Sequence, residues 1–140
     1  MSKFSLPTET VELPSKGLLY PESSALKKGT VEMKYMTARE EDILTNNNYI
    51  QDGTALDRAI KSLLVDKSIN YDELLIGDKN ALMIAARILA YGKDYPIYWD
   101  GKPYTVDLSK LENVDIDEEL FKNGNNIEFK LPNTDNVVTI

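Results

Sequence analysis

The sequence predicts an α+β fold with an N-terminal extended arm and strands, a three-helix middle and a small antiparallel C-terminal sheet. Three observations support this prediction. Pro7, Pro14 and Pro21 disfavour helix in the first 29 residues. Apolar residues then recur at helical spacing through the middle of the chain. After Gly92, apolar and polar residues alternate between turn signals, which is typical of strands.

The composition is that of a soluble domain without reactive sulfur or imidazole. The chain has 140 residues, of which 42% are hydrophobic, so a buried core is attainable without disulfides. It contains no cysteine and no histidine, which excludes a thiol nucleophile, a Ser-His-Asp triad and a structural zinc site. The net charge of −7 disfavours nucleic-acid binding. The absence of an 18-residue apolar run argues against a membrane span.

Residues 1–29 are predicted to form an extended N-terminal arm. A turn over residues 14–17 precedes an apolar triplet at residues 18–20. Two interpretations follow, an arm folded back on its own core and an arm that binds a partner, because long irregular segments are often functional. The candidate partner-binding residues of this segment are Leu13, Pro14, Leu18, Leu19 and Tyr20.

Residues 30–92 are predicted to form the helical core region behind one leading strand. The strand covers residues 30–35, where Val, Met and Tyr alternate with Glu and Lys. Thr37 and Glu40 fit a capping box that opens a helix ending near residue 46. A short helical turn follows, and Thr54 caps a second helix over about residues 55–65.

The strongest helical signal runs from Lys79 to Tyr91, with Asp78 as the predicted N-cap and Gly92 after its end. Its interior is apolar nearly all round, which predicts a buried central helix. Arg87 is the single charge in that interior, and a buried arginine needs a partner. We expect a structural ion pair, with a functional anion site as the alternative. The candidate carboxylates are Glu40, Glu41, Asp42 and Asp57.

Residues 93–140 are predicted to form an antiparallel β region continuous with the rest of one domain. Asp100-Gly101 is a hairpin signal between two strands, and two further strands are predicted near residues 127–131 and 137–140. The strand-like run at Ile140 fits either a sheet edge or an ordered fragment of a longer protein. The side chains expected to cover the buried face of this sheet are Tyr98, Trp99, Tyr104 and Phe129, and the first two are also candidate partner-binding residues.

No motif for chemistry is found. The glycines stand singly, so no phosphate-binding loop is formed. Adjacent carboxylates such as Glu40-Glu41 and Asp72-Glu73 are expected by chance among 23 acidic residues. We therefore predict no catalytic residue, no metal site and no cofactor.

Four blocks of sequence carry a resemblance to a known family. They are VELPSKGLLYP at residues 11–21, KGTVEMKYMTA at 28–38, EEDIL at 40–44 and DELLIGDKNAL at 72–82. These blocks are similar to the baseplate hub proteins of T-even-type contractile-tail phages, over roughly residues 11–131. The resemblance implies a late viral protein without catalysis that is needed to build the baseplate hub. It also implies a location in the virion tail or in the infected host cytoplasm during assembly.

Three hypotheses for function follow. The first is a hub component or an assembly chaperone that binds the tape-measure protein or other hub proteins, with no nucleic acid and no membrane as partner. The second is a small acidic adaptor or inhibitor that binds a basic host protein. The third is a hydrolase that uses acidic residues and a hard metal ion.

Overall fold

The computed structural model describes residues 6–124 and 126–140 and confirms the α+β class. The three longer predicted helices are present, and the helical turn expected near residue 50 is a fourth, short helix. The strands are β1 (Thr8–Glu12), β2 (Thr30–Lys34), β3 (Asp94–Trp99), β4 (Lys102–Asp107), β5 (Glu128–Lys130) and β6 (Val137–Thr139); the helices are α1 (Ala38–Thr45), α2 (Asn47–Gln51), α3 (Ala55–Leu63) and α4 (Ile76–Tyr91).

The predicted N-terminal strand pair is formed by β1 and β2. The strands are antiparallel, with Thr8 opposite Lys34 and Glu12 opposite Thr30. On its other side, β2 is joined to the end of α3. There the N–H of Val65 donates to the carbonyl oxygen of Glu32 at 3.0 Å. The strand pair is thereby tied to the helical region through backbone bonds.

The hydrophobic core lies between β2, α3, the first half of α4 and the loop after β1. Alternate residues of β2 face inward, as the period of a half-buried strand requires. In α3, Leu56 is exposed, whereas Ile60 and Leu63 are buried. The buried hydrophobic residues are Leu13, Tyr20, Leu26, Val31, Met33, Ala59, Ile60, Leu63, Leu64, Tyr71, Leu74, Leu82 and Ala86.

The N-terminus of α1 is stabilised by the predicted capping interaction. The N–H and the hydroxyl of Thr37 both donate to Oε2 of Glu40, at 3.0 and 2.6 Å. The other oxygen of Glu40 accepts the hydroxyl of Ser62 in α3 at 2.5 Å. Glu40 therefore caps its own helix and also links it to α3. Burial raises the pKa of Glu40, but the bonds from Ser62 and Thr37 outweigh it, so the pKa is lowered.

The prediction for α4 is wrong in two respects. The helix begins at Ile76, and Asp78 lies inside its first turn instead of at the N-cap, because its carboxylate bonds to the loop after β1. The helix is also not buried all round. Only Leu82 and Ala86 of its apolar interior are fully buried, since its C-terminal half extends past the core.

The C-terminal strands do not form the single predicted sheet. β3 pairs with β4 and β5 pairs with β6, and these are separate two-stranded ladders. Neither ladder lies over the core, so the prediction that four aromatic side chains cover a buried face is wrong. Those side chains, Tyr98, Trp99, Tyr104 and Phe129, are exposed.

No helix in the described ranges combines the length and the hydrophobicity that crossing a lipid bilayer requires.

Two glycines allow the loop after β1 to lie against the residues before β2. Gly17 and Gly29 both have positive φ, +75° and +74°. A Cβ on Gly17 would lie 2.3 Å from the carbonyl oxygen of Lys27, and one on Gly29 would lie 2.8 Å from that of Lys16. The two backbone segments are therefore interlocked at a distance that excludes any side chain.

This close approach predicts a difference between two glycine substitutions. Gly17→Ala combines an unfavourable φ with a steric clash and should lower the free energy of unfolding by about 3 kcal/mol. Gly53→Ala is the matched control, because Gly53 also has positive φ but no atom lies within 4 Å of its Cβ position. It should cost only about 1 kcal/mol. Urea denaturation of both variants measures this, and equal losses would contradict the interlocked geometry.

Glu40 predicts a pH dependence of stability. Because its pKa is lowered from 4.5 in the folded chain, its stabilising contribution is complete above that value and is lost as the pH falls below it. Glu40→Gln should reduce the free energy of unfolding at pH 7 by about 1–3 kcal/mol. The difference from the unmodified chain should shrink below pH 4.5. Glu41→Gln, at an exposed neighbour, is the control and should leave the urea midpoint unchanged.

Candidate protein-binding surface

The N-terminal candidate residues do not form one exposed surface. Leu13 and Tyr20 are part of the core, while Pro14, Leu18 and Leu19 are half-buried. Of the two interpretations of this segment, the burial agrees with an arm folded back on its own core. The loop over residues 13–21 thus contributes to the core, although Pro14, Leu18 and Leu19 retain accessible area.

A buried hydrogen-bond network holds this loop against α4. The side chain of Asp78 is 1% exposed. Its Oδ1 accepts the N–H of Ser15 at 3.0 Å, and its Oδ2 accepts the hydroxyls of Ser15 at 2.7 Å and Tyr20 at 2.6 Å. Three donors therefore satisfy one buried carboxylate near the N-terminus of a helix, where negative charge is favoured.

The hydroxyl of Tyr20 extends the network to the start of α4. It accepts the N–H of Leu75 at 3.0 Å while donating to Asp78. Burial and the bond to Asp78 raise the pKa of Tyr20, so the phenol remains protonated and able to donate. The sequence reasoning missed this network, because it considered Asp78 only as a helix cap.

Among the described residues, Arg87 forms no ion pair with any of the four predicted carboxylates. Its Nη1 donates to the carbonyl oxygen of Gly92 at 3.2 Å. The guanidinium also lies over the rings of Tyr91 and Tyr95, 4.9 and 5.3 Å from their centroids. The physical reason is that this part of α4 projects beyond the core, so Arg87 is only half-buried and retains contact with water. It joins the end of α4 to β3.

The predicted carboxylate partners of Arg87 accept hydrogen bonds from other residues or are exposed at the surface. Glu40 is held by Thr37 and Ser62, as described above. Asp57 accepts the hydroxyl of Tyr71 at 2.9 Å, and this bond, together with burial, raises the pKa of Tyr71. Glu41 and Asp42 are exposed on α1.

The hairpin of β3 and β4 carries an apolar face. Directly opposed residues of an antiparallel pair lie on the same face, and the register places Tyr95 opposite Val106 and Ile97 opposite Tyr104. Trp99 continues this face toward the turn and is 73% exposed. We call these five residues the aromatic face of the hairpin: Tyr95, Ile97, Trp99, Tyr104 and Val106.

Tyr98 lies on the opposite face of the same hairpin, because successive side chains of a strand alternate. It is 79% exposed and stands opposite Pro103. The two C-terminal candidate residues are therefore both accessible, but they point to different sides. The Asp100-Gly101 turn, with both φ angles positive, is the tight hairpin turn that the sequence predicted.

No group of three or more acidic side chains within the described ranges is arranged to hold a metal ion. The buried carboxylates of Asp78 and Glu40 are occupied by internal donors. The described part of the chain also exposes apolar and charged side chains.

The Asp78 network predicts strongly coupled losses of stability. Tyr20→Phe removes a donor to a buried carboxylate and should lower the free energy of unfolding by about 1.5–3 kcal/mol. Asp78→Asn should cost at least as much. The double variant should be less destabilised than the sum of the two, because both changes disrupt the same bond. Tyr98→Phe is the matched control and should change stability by less than about 0.5 kcal/mol. Additive losses in urea denaturation would show that the two side chains act independently.

Comparison with known proteins identifies a family for this chain. The family model described as "T4 bacteriophage base plate protein" matches residues 7–139, nearly the whole chain. No curated protein and no solved structure was found to match. The match includes the loop after β1, the helical region and both C-terminal ladders. The chain therefore belongs to the T4 bacteriophage base plate protein family.

Proposed function

We propose that this chain is a non-enzymatic protein of the phage tail that is required for assembly of the baseplate hub. It acts by binding another hub protein or the tape-measure protein through the aromatic face of its β3–β4 hairpin. Family membership supports a role in the baseplate, and the resemblance of the four sequence blocks to hub proteins supports the hub in particular.

The observation that carries this proposal is the exposure of apolar side chains after α4. None of the described residues beyond residue 91 is fully buried, and thirteen of the exposed large hydrophobic residues lie from Tyr91 onward. Exposed apolar area of this kind on a soluble protein marks an interaction surface. An isolated two-stranded hairpin is also only marginally stable in water, so burial against a partner would stabilise it.

The aromatic face has the composition of an interface centre. Tryptophan and tyrosine dominate the binding energy of many interfaces, because a large rigid side chain buries much area with little loss of entropy. The base of the hairpin is held by Arg87 over Tyr95, whereas Trp99 lies at the far end near the turn. The face is therefore anchored at one end and accessible at the other.

A pull-down of the other tail proteins of the same virus tests the proposal. The unmodified chain should retain at least one hub or tape-measure protein. Trp99→Ala should weaken that binding by about thirtyfold, the typical effect of losing a central tryptophan. Ile76→Ala, which removes a similarly exposed apolar side chain (78%) at the start of α4, is the control and should bind normally. Retention of no tail protein, or equal binding by the Trp99 variant, would refute the proposal.

Mass spectrometry of purified virions distinguishes a permanent hub component from an assembly chaperone. A permanent hub component should be detected in mature virions. An assembly chaperone should be found only with assembly intermediates, and its binding surface would be covered transiently. Absence from both would contradict a role in the tail.

A further inference from the structure

A second surface, in the helical part of the molecule, has the opposite charge to the chain as a whole. A cavity of about 480 Å³ lies between the end of β2, α1 and α3. Five cationic side chains line it, although the net charge of the chain is −7. We call it the basic pocket, and its cations are Lys34, Arg39, Arg58, Lys61 and Lys67.

The positive charge of the basic pocket is not neutralised from within. Glu40 is the single carboxylate among the residues that line it, and both of its oxygens accept bonds from Thr37 and Ser62. Among the described residues, Lys61 is the one lining cation that forms an ion pair, with Asp72 at 3.5 Å. The pocket therefore presents an excess of positive charge to an incoming ligand.

Two of the cations are fixed in place by neutral groups. Nζ of Lys67 donates to the carbonyl oxygens of Lys61 and Ser62, at 3.1 and 3.2 Å, near the C-terminus of α3. Nε of Arg58 donates to the hydroxyl of Thr54 at 3.1 Å, and its guanidinium lies 4.4 Å from the ring centroid of Tyr49. These cations are held without a counter-ion, so binding an anion would cost them little further ordering.

The cations are also close enough to repel one another. Burial lowers the pKa of Lys67, and the charges of Lys34 and Arg39 lower it further, while the charge of Glu40 raises it by a smaller amount. An anion in the pocket would relieve this repulsion and would be attracted more strongly in the partly desolvated cavity than in water.

The other walls of the pocket indicate what kind of anion fits. Leu6, Ile43 and Tyr49 supply apolar surface beside the cations. Outside the pocket, Glu9 lies against Tyr35, and Glu41 is exposed on α1. A long phosphate backbone leaving the pocket would meet these carboxylates, whereas a short segment with both acidic and apolar side chains would match the cavity.

We propose that the basic pocket binds an acidic peptide segment of a partner protein, in which apolar side chains are interspersed among carboxylate side chains. The carboxylates are placed against Lys34, Arg39 and Lys67, and an apolar side chain lies against Ile43 and Tyr49. This site is separate from the aromatic face of the hairpin and does not depend on it. It would give the protein a second, charge-selective contact.

Fluorescence anisotropy with a labelled peptide of sequence ELEELE tests the proposal on the full chain. The peptide should bind at low salt, and binding should weaken on going from about 50 to about 200 mM salt, because the attraction is electrostatic. The neutral peptide QLQQLQ should bind at least about tenfold more weakly. Failure of ELEELE to bind the unmodified chain at millimolar concentration would overturn the proposal.

Two matched double variants locate the site. Lys34→Gln with Arg39→Gln removes two pocket charges and should weaken peptide binding at least about fivefold. Lys102→Gln with Lys110→Gln removes the same charge from the exposed C-terminal part and should have little effect. Equal weakening by both pairs would show that binding depends on net charge alone, and it would overturn the assignment of the peptide to the basic pocket. The exposed single variant Arg39→Gln provides the same test if the first pair lowers the melting temperature.

A third probe distinguishes the class of macromolecule. A single-stranded oligonucleotide of the same charge should bind the pocket more weakly than ELEELE. If the oligonucleotide binds more tightly, and Lys34→Gln with Arg39→Gln abolishes that binding, the ligand is a nucleic acid and the peptide proposal is wrong.

Discussion

The position of the loop over residues 13–21 depends on one buried carboxylate. Asp78 accepts three hydrogen bonds from Ser15 and Tyr20. The hydroxyl of Tyr20 in turn accepts the N–H of Leu75, the residue just before α4. A buried charge without partners would be very unfavourable, so the loop must close on the helix for either to be stable. The interlocked backbone at Gly17 adds a steric condition to the same closure. The hydrogen bonds to Asp78 and the close backbone packing at Gly17 thus specify one arrangement of a loop that has no regular secondary structure.

The local signals in the sequence were sufficient for most elements. The alternation at residues 30–35 predicted β2, Thr37 and Glu40 predicted the start of α1, and Asp100-Gly101 predicted the turn between β3 and β4. Each of these depends on neighbours within a few residues, which is the range over which propensity and capping act. The division into residues 1–29, 30–92 and 93–140 remains a prediction.

The wrong predictions concern residues whose contacts depend on distant parts of the chain. Asp78 has the chemistry of an N-cap, but partners about sixty residues away determined its role. Arg87 was expected to be buried because α4 is apolar, whereas the length of α4 carries it past the core. The basic pocket escaped notice because its cations come from β2, α1, α3 and the residues after α3. The i, i+3 pair of Arg58 and Lys61 on one helix was the available signal.

The long sequence separation within the Asp78 network has a consequence for biosynthesis. Ser15 and Tyr20 are 63 and 58 residues from their acceptor, so the loop cannot be fixed until the ribosome has released the beginning of α4. Until then, the apolar residues after β1 have no core to enter. The C-terminal ladders contribute no buried residue and follow the last buried residue, Ala86, in the sequence. Translation therefore delivers the core-forming residues before the exposed β3–β4 and β5–β6 ladders.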